Sequence, residues 1–164
     1  MKSLIDPVVA LAEAAGKAIL EVYSSDFEVQ SKEDSSPLTQ ADLAAHFCII
    51  AGLEELTPGV PIISEEADLP DYAERGQWRR YWLVDPLDGT KEFVSRNGEF
   101  TVNIALIDHQ KPVFGVVHVP VQGMTYIGCK GYGAERRDSN GGREPISVSP
   151  HSSIPVRVVG SRSH

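Results

Sequence analysis

The sequence predicts an α+β fold in which N-terminal helices pack on a largely antiparallel sheet. Two segments with the apolar spacing of amphipathic helices come first, over residues 6–23 and 39–56. Short strand-like runs separated by polar turns follow, and they do not alternate regularly with helices, which is typical of α+β proteins rather than of βαβ folds. With 164 residues the chain is long enough for one domain with a substantial core.

Both helices have recognisable start signals. Asp6 is predicted to be an N-cap with Pro7 at the first helical position, and the apolar spacing continues to about Tyr23. Thr39 and Asp42 have the spacing of a capping box in front of the second apolar run. On local sequence alone, Asp42 is therefore predicted to be a helix cap.

The strands are predicted from short runs of the aromatic and β-branched residues that sheets prefer. These runs cover residues 27–32, 60–64, 81–84, 100–107, 113–119, 124–129, 146–149 and 156–160. Residues 67–77 are predicted to form a surface loop with a short helix, and the polar stretch 136–143 a loop. A further short helix is predicted over residues 91–93.

The net charge of −8 argues against a nucleic-acid or anionic membrane surface that depends on bulk positive charge. It leaves room for a phosphorylated substrate, because bound metal ions can supply positive charge locally. Cys48 and Cys129 have no metal-binding or redox spacing and are predicted to be buried free thiols. We find no signal-like segment and no apolar run of membrane-spanning length, so the cytoplasm is the predicted compartment.

The stretch from Tyr81 to Thr90 contains the strongest local candidate for chemistry. An apolar strand is predicted to end at Val84, where Asp85 and Asp88 follow on a turn stiffened by a proline and a glycine. Carboxylates at the end of a central strand lie where open sheets bind ligands. Asp-Pro and Asp-Gly are also common turn dipeptides, so a purely structural interpretation remains open at this point.

A second acidic pair, Glu65-Glu66, follows another predicted strand over residues 60–64. Two strands that both end in carboxylates are expected to converge on one point. Carboxylates facing each other in a cleft repel unless a cation lies between them. Hard oxygen ligands favour Mg²⁺, Mn²⁺ or Ca²⁺ over zinc.

Together these motifs resemble the lithium-sensitive, magnesium-dependent phosphatases, a family that includes inositol monophosphatases, fructose bisphosphatases and 3'(2'),5'-bisphosphate nucleotidases. The shared pattern is Thr39 to Asp42, then Glu65-Glu66, then Asp85 to Thr90. The segment 85–106 and the closing residues 161–164 are more similar to the bacterial bisphosphate nucleotidase branch, which acts on 3'-phosphoadenosine 5'-phosphate.

The resemblance implies a layered, sugar-phosphatase-like α+β fold. Residues 1–164 would be the N-terminal metal- and phosphate-binding domain of the family. The family's C-terminal part contains a Trp-Asp motif that supplies another metal carboxylate, and the sequence stops before it. We therefore expect the C-terminal domain of the family fold to be absent from this chain.

For the metal ligands, the resemblance implies that Glu65, Asp85 and the Leu87 carbonyl hold one Mg²⁺. Asp85 and Asp88 would share a second ion, which the Trp-Asp carboxylate completes. The implied cofactor is two or three Mg²⁺ ions, with Mn²⁺ as a substitute and Li⁺ and Ca²⁺ as inhibitors.

For catalysis, the resemblance implies that Asp42 and Thr90 pair to orient and deprotonate the attacking water. Asp42 would then serve as both cap and catalytic group. The substrate phosphate would contact Glu65, Leu87 and Asp88 and the N–H groups of Gly89 and Thr90. Ser161 and His164 belong to a loop that would contact the nucleotide.

The implied activity is Mg²⁺-dependent removal of the 3'-phosphate of 3'-phosphoadenosine 5'-phosphate, giving AMP and phosphate for sulfur assimilation and nucleotide recycling. The alternatives are an inositol monophosphatase, a sugar bisphosphatase or an inactive metal-binding fragment. The implied partner is a small phosphorylated nucleotide and neither a nucleic acid polymer nor an integral membrane. Peripheral contact with the inner membrane and homo-oligomer formation are left open.

Overall fold

The computed structural model describes residues 1–25, 29–31 and 37–149, together with positions 155, 158 and 160. Two long helices pack on one face of a seven-stranded sheet, and a separate two-stranded antiparallel sheet lies between them in sequence. The helices are α1 (Ile5–Tyr23), α2 (Gln40–Leu56), α3 (Tyr72–Arg75) and α4 (Thr90–Val94). The strands are β1 (Val29–Ser31), β2 (Pro37–Thr39), β3 (Ile62–Ser64), β4 (Arg80–Asp88), β5 (Thr101–Asp108), β6 (Lys111–Val119), β7 (Met124–Cys129), β8 (Gly133–Arg137) and β9 (Arg143–Ile146).

The large sheet has the strand order β3-β4-β5-β6-β7-β8-β9, so every strand lies next to its neighbour in sequence. All pairs are antiparallel except β3 and β4, which run parallel. The predicted α+β class and the largely antiparallel sheet are therefore confirmed. The one parallel pair matters for function, because it places the carboxyl ends of β3 and β4 at the same edge of the sheet.

The core lies between the two long helices and one face of the sheet. Burial on both helices recurs at steps of three to four residues, as expected for amphipathic helices. On β5 the residues alternate between buried and partly buried positions, so one face of this strand is turned towards the helices. The largest fully buried side chains are Trp82, Phe93, Phe100 and Phe114.

The predicted N-cap of α1 is wrong. A 3₁₀ helix over Lys2–Leu4 leads directly into α1, so that the N-cap is Leu4 and Asp6 lies inside the first turn. The carboxylate of Asp6 instead accepts a hydrogen bond of 2.7 Å from Arg137. This bond, more than any other influence, holds the pKa of Asp6 below its usual range.

The predicted end of the central strand at Val84 is also wrong, because β4 continues to Asp88. Asp85 pairs with Asn103 and Asp88 with Thr101, so the register shifts between these two pairs. Pro86 lies in this interval and has no N–H to donate to the ladder. A bulge allows the strand to continue past the proline, which the local sequence did not reveal.

The region after β7 contains two strands, β8 and β9, whereas the sequence predicted loops up to residue 143 and a strand over 146–149. The inward positions of β8 hold Glu135 and Arg137, each 9% exposed, instead of apolar residues. Arg137 satisfies its buried guanidinium by donating to Glu135 at 2.6 Å and to Asp6. A strand that buries an ion pair lacks the hydrophobic alternation by which strands are predicted.

The predicted strand 156–160 lies largely outside the described residues, and positions 158 and 160, which are described, are not in a strand. The predicted strand 27–32 is described only over β1, and the predicted short helices are confirmed as α3 and α4. Within the described part of the chain, no helix combines the length and the apolar character needed to cross a membrane.

Candidate active site

Glu65 and Asp85 come directly after the last paired residues of the parallel strands β3 and β4, at the same edge of the sheet. Ser64 pairs with Val84, and the N–H of Glu65 donates to the Val84 carbonyl at 3.0 Å. Because neighbouring strands lie about 4.8 Å apart, the two acidic residues begin from adjacent backbone positions. Both line a cavity of about 580 Å³. The structure thus brings together two residues that are twenty positions apart in sequence.

Asp42 is fully buried at the start of α2 and is the acidic member of a complete capping box. Its Oδ2 accepts from the N–H of Thr39 at 2.8 Å and from the Thr39 hydroxyl at 2.6 Å. Its Oδ1 accepts from the hydroxyl of Thr90 at 3.1 Å. The predicted cap is confirmed, and the same carboxylate also contacts the residue with which it was predicted to act.

Thr90 begins helix α4, and Gly89 before it is the N-cap that follows the end of β4. Its hydroxyl lies 3.1 Å from Asp42 Oδ1 and 3.3 Å from the carbonyl oxygen of Leu87. A hydroxyl has one proton to donate and two lone pairs that can accept. Thr90 can therefore donate to Asp42 and still accept a hydrogen bond from a further molecule.

Asp88 is exposed at the end of β4, and its Oδ2 accepts a hydrogen bond of 3.0 Å from Asn103 Nδ2. Asn103 in turn lies 3.1 Å from the hydroxyl of Thr101. Sequence reasoning missed Asn103, although a polar amide inside an otherwise apolar strand was an available signal. Asn103 itself lines the cavity that Glu65 and Asp85 share, and its amide orients the Asp88 carboxylate.

Gly89 joins the strand to helix α4 with a φ of 97°, a left-handed conformation that favours glycine. A Cβ at this position would lie 3.0 Å from the carbonyl oxygen of Glu99. Both the turn and the close approach of the neighbouring backbone require glycine here. The Leu87 side chain is buried, which anchors the strand just before the turn.

The predicted ligand residues bear only hard oxygen donors, which suit Mg²⁺. Glu65 and Asp85 share the cavity, whereas Asp88 lies beyond the bulge and bonds to Asn103. Within the described ranges, no group of three His, Cys, Asp or Glu side chains is arranged to hold a metal ion. The donor chemistry fits the ion, and the ligand set remains a prediction.

A hydrogen bond that the sequence did not reveal lies next to Glu65. The Nδ1 of His46, on helix α2, is 2.8 Å from the hydroxyl oxygen of Ser64. Ser64 is buried at the end of β3, and His46 is partly buried. Burial lowers the pKa of His46.

Among the basic residues, Arg96 is used structurally. Its guanidinium donates to the carbonyl oxygens of Tyr23 and Ser25 and stacks over the Tyr23 ring. These contacts attach Arg96 to the end of α1. Ser161 and His164, predicted to contact the nucleotide, lie outside the described residues.

The chain belongs to the inositol monophosphatase family, because the family model matches residues 1–164. The predicted family is thereby confirmed. The arrangement of helices on a mixed sheet agrees with this family.

The chain is 52% identical to the 3'(2'),5'-bisphosphate nucleotidase CysQ of Escherichia coli K12, over 98% of its own length and 64% of that relative. It thus spans somewhat less than two thirds of the relative's length.

Solved structures show the same fold. CysQ of Bacteroides thetaiotaomicron has a TM-score of 0.73 at 46% identity, covering 85% of this chain and 50% of that one. An IMPase/NADP phosphatase complexed with Mg²⁺ and phosphate has a TM-score of 0.71 at 18% identity, covering 81% and 50%. The second likeness concerns the fold alone.

Proposed function

We propose that residues 1–164 form the metal- and phosphate-binding α+β part of a Mg²⁺-dependent phosphomonoesterase. Its substrate is 3'-phosphoadenosine 5'-phosphate, from which it removes the 3'-phosphate to give AMP and phosphate. The 52% identity to a bisphosphate nucleotidase supports this substrate. The observation that carries the proposal is the contact between Thr90 and the buried Asp42, next to the paired strand ends of Glu65 and Asp85.

In this proposal, Glu65, Asp85 and the Leu87 carbonyl would hold one Mg²⁺, and Asp85 and Asp88 would hold a second. When bound, Mg²⁺ supplies positive charge to the phosphoryl group and lowers the pKa of a coordinated water. The adjacency of Glu65 and Asp85 and the oxygen-only donor set support the first site. The hydrogen bond from Asn103, which directs the Asp88 carboxylate, supports the second.

Asp42 and Thr90 form a path for the proton of the attacking water. The Thr90 hydroxyl donates to Asp42 Oδ1, so its oxygen can accept a hydrogen bond from that water. As the water attacks phosphorus, the bond between phosphorus and the 3'-oxygen of the nucleotide breaks, and the released 3'-oxygen takes up a proton from solvent water. The proton of the attacking water passes to Thr90 Oγ1, and the original Thr90 proton passes to Asp42. Thr39 holds the carboxylate in place through its N–H and hydroxyl donors.

The N–H groups of Gly89 and Thr90 face the phosphate in this proposal, and residues Ser161 to His164 contact the nucleotide. Support for the first comes from the left-handed turn at Gly89, which redirects the backbone immediately after Asp88. Support for the second is the similarity of these residues to the bisphosphate nucleotidase branch.

We also propose that the reaction takes place in the cytoplasm. Both cysteines are free, Cys129 is buried, and burial raises the pKa of the Cys48 thiol. Such thiols are suited to a reducing compartment.

The test compares phosphate release from 3'-phosphoadenosine 5'-phosphate, an inositol monophosphate and fructose 1,6-bisphosphate at equal concentrations. We expect the nucleotide to be preferred and all release to require Mg²⁺. Asp88→Asn should abolish turnover, whereas Asp71→Asn, which changes an exposed acid at the start of α3, should retain it. Activity that persists with excess chelator would contradict the proposal.

A second candidate function, hydrolysis of inositol monophosphates, is favoured by the family description itself. Faster release from the inositol ester than from the nucleotide would establish it. Tight Mg²⁺ binding in calorimetry with no turnover of any of the three substrates would instead indicate an inactive metal-binding fragment.

A further inference from the structure

Helix α2 directs two polar side chains, one turn apart, to the ends of two different strands. Asp42 accepts from Thr90, which follows β4, at 3.1 Å. His46 bonds to Ser64, at the end of β3, at 2.8 Å. Residues four positions apart lie on the same face of a helix, so one face of α2 contacts the end of β3 and the start of α4, the helix that follows β4.

The position of α2 relative to β4 is fixed at both ends of the helix. At its N-terminus the buried Asp42 is held by Thr39 and Thr90. At its C-terminus the C-cap residue Thr57 accepts a hydrogen bond of 2.9 Å from the indole N–H of the fully buried Trp82. His46 lies between these two attachments and is therefore presented to Ser64 from a rigid element.

Strand β3 needs such an attachment because it is short and lies at the edge of the sheet. It has three residues, and among the described strands it pairs with β4 alone. After Ser64 the chain leaves the sheet, and the N–H of Ala67 bonds back to the Ser64 carbonyl at 3.2 Å. Ser64 is thus the last residue of the strand, and its side-chain bond to His46 lies one position before Glu65.

The hydrogen bond between His46 and Ser64 joins two groups that depend on each other. Ser64 is almost completely buried, so the loss of His46 would leave its hydroxyl without the partner that it has in the structure. Burial lowers the pKa of His46, which favours the neutral ring with one N–H and one lone pair. Either tautomer can bond to a hydroxyl, which both donates and accepts.

We propose that His46 is a positioning residue that fixes Ser64 and, through the backbone, the Glu65 carboxylate at the metal site. The role of Glu65 in this inference rests on the proposed function. His46 itself contacts neither the substrate nor the ion.

The first measurement needs no metal. Backbone amide hydrogen exchange of Glu65 and Ala67 is followed with chelator present in the wild type, His46→Leu and Ser64→Ala. We expect exchange to rise about tenfold in both variants, because the strand end opens locally when its side-chain anchor is lost. His46→Asn, whose amide can replace Nδ1, should restore protection.

The second measurement is a Mg²⁺ titration followed by the shift in unfolding temperature. His46→Leu and Ser64→Ala should each weaken the apparent Mg²⁺ affinity by about tenfold, as the loss of contacts behind a ligand usually does. The double variant should be no weaker than either single variant, because both changes remove the same bond. Ile49→Val, a buried change on the same helix, is the matched control and should leave both readouts unchanged.

The outcomes separate the two proposals. Unchanged amide exchange in His46→Leu overturns the positioning role, whatever the Mg²⁺ titration shows. A second outcome is that amide exchange rises in His46→Leu while Mg²⁺ does not shift the unfolding temperature of the wild type. This result supports the link from His46 to the strand end and contradicts the proposed metal function.

Discussion

The side chains of Asp42 and Thr90 meet at 3.1 Å although the residues are 48 positions apart in sequence. Asp42 lies at the start of a long helix, and Thr90 follows β4, the strand that carries Asp85 and Asp88. Their contact fixes the helix to the acidic end of the strand. The same carboxylate therefore has a structural role as a cap and a position suited to proton transfer.

The Thr90 hydroxyl is predicted to be needed for turnover rather than for folding. Thr90→Val should lower kcat by about 100-fold or more, because the proton path through the hydroxyl is lost. It should cost only about 1 kcal/mol of unfolding free energy, since Asp42 keeps its two bonds from Thr39. Thr90→Ser retains the hydroxyl and should stay within a small factor of the wild type. A valine variant with wild-type kcat would contradict the proton path.

Asn103 is predicted to strengthen Mg²⁺ binding by orienting the carboxylate of Asp88. Asn103→Ala removes the donor that directs the Asp88 carboxylate, so the Mg²⁺ concentration for half-maximal activity should rise about tenfold. Thr101→Val serves as the control, because it removes the contact behind Asn103 while leaving the amide in place. Its effect should be smaller. Equal Mg²⁺ requirements for Asn103→Ala and the wild type would show that the amide does not act on the metal site.

Gly89 is predicted to be more sensitive to substitution than another left-handed glycine, Gly59. Gly59→Ala should lose about 1–2 kcal/mol of unfolding free energy, because φ is 80° but the space around it is open. Gly89→Ala should lose more, since the added Cβ would also press on the Glu99 carbonyl at 3.0 Å. Urea unfolding of both variants measures the difference. Equal losses of unfolding free energy would mean that the backbone at Glu99 moves away from the added Cβ without cost.

His118 is predicted to make the fold sensitive to mild acid. It is buried on β6, bonds to Thr125 at 2.9 Å, and has a pKa lowered by burial from the usual 6.5. The folded state thus binds the proton less readily than the unfolded chain. The contribution of neutral His118 to the free energy of unfolding is therefore fully present above about pH 6.5. It is lost as the pH falls from there towards the lower folded-state pKa.

The test for His118 is unfolding by urea between pH 7.5 and pH 5. His118→Asn can keep a hydrogen bond to Thr125 but takes up no proton, so its stability should fall less than that of the wild type over this range. The remaining decrease reflects His46, whose pKa is lowered in the same direction. Parallel curves for the two proteins would remove His118 as a source of acid sensitivity.

Local sequence signals predicted secondary structure correctly where the structure depends only on contacts between residues close in sequence. The capping box at Thr39 and Asp42 was confirmed because a cap depends on three or four neighbouring residues. The same reasoning failed at Asp6, where a long-range bond to Arg137 replaced the expected cap. The prediction of a loop at β8 was also wrong, because the buried positions of this strand hold an ion pair instead of the apolar side chains by which strands are predicted.

Short-range features of the chain were sufficient to predict the α+β class, the two long helices and the acidic motifs that resemble the family, because helix periodicity, capping and motif spacing act between residues close in sequence. Three features are apparent only in the folded chain: β3 lies parallel to β4, Asn103 bonds to Asp88, and His46 bonds to Ser64. These contacts depend on strand order, on register and on how the helix packs across the sheet. Such choices are made by the burial of the whole core, and no short stretch of residues specifies them.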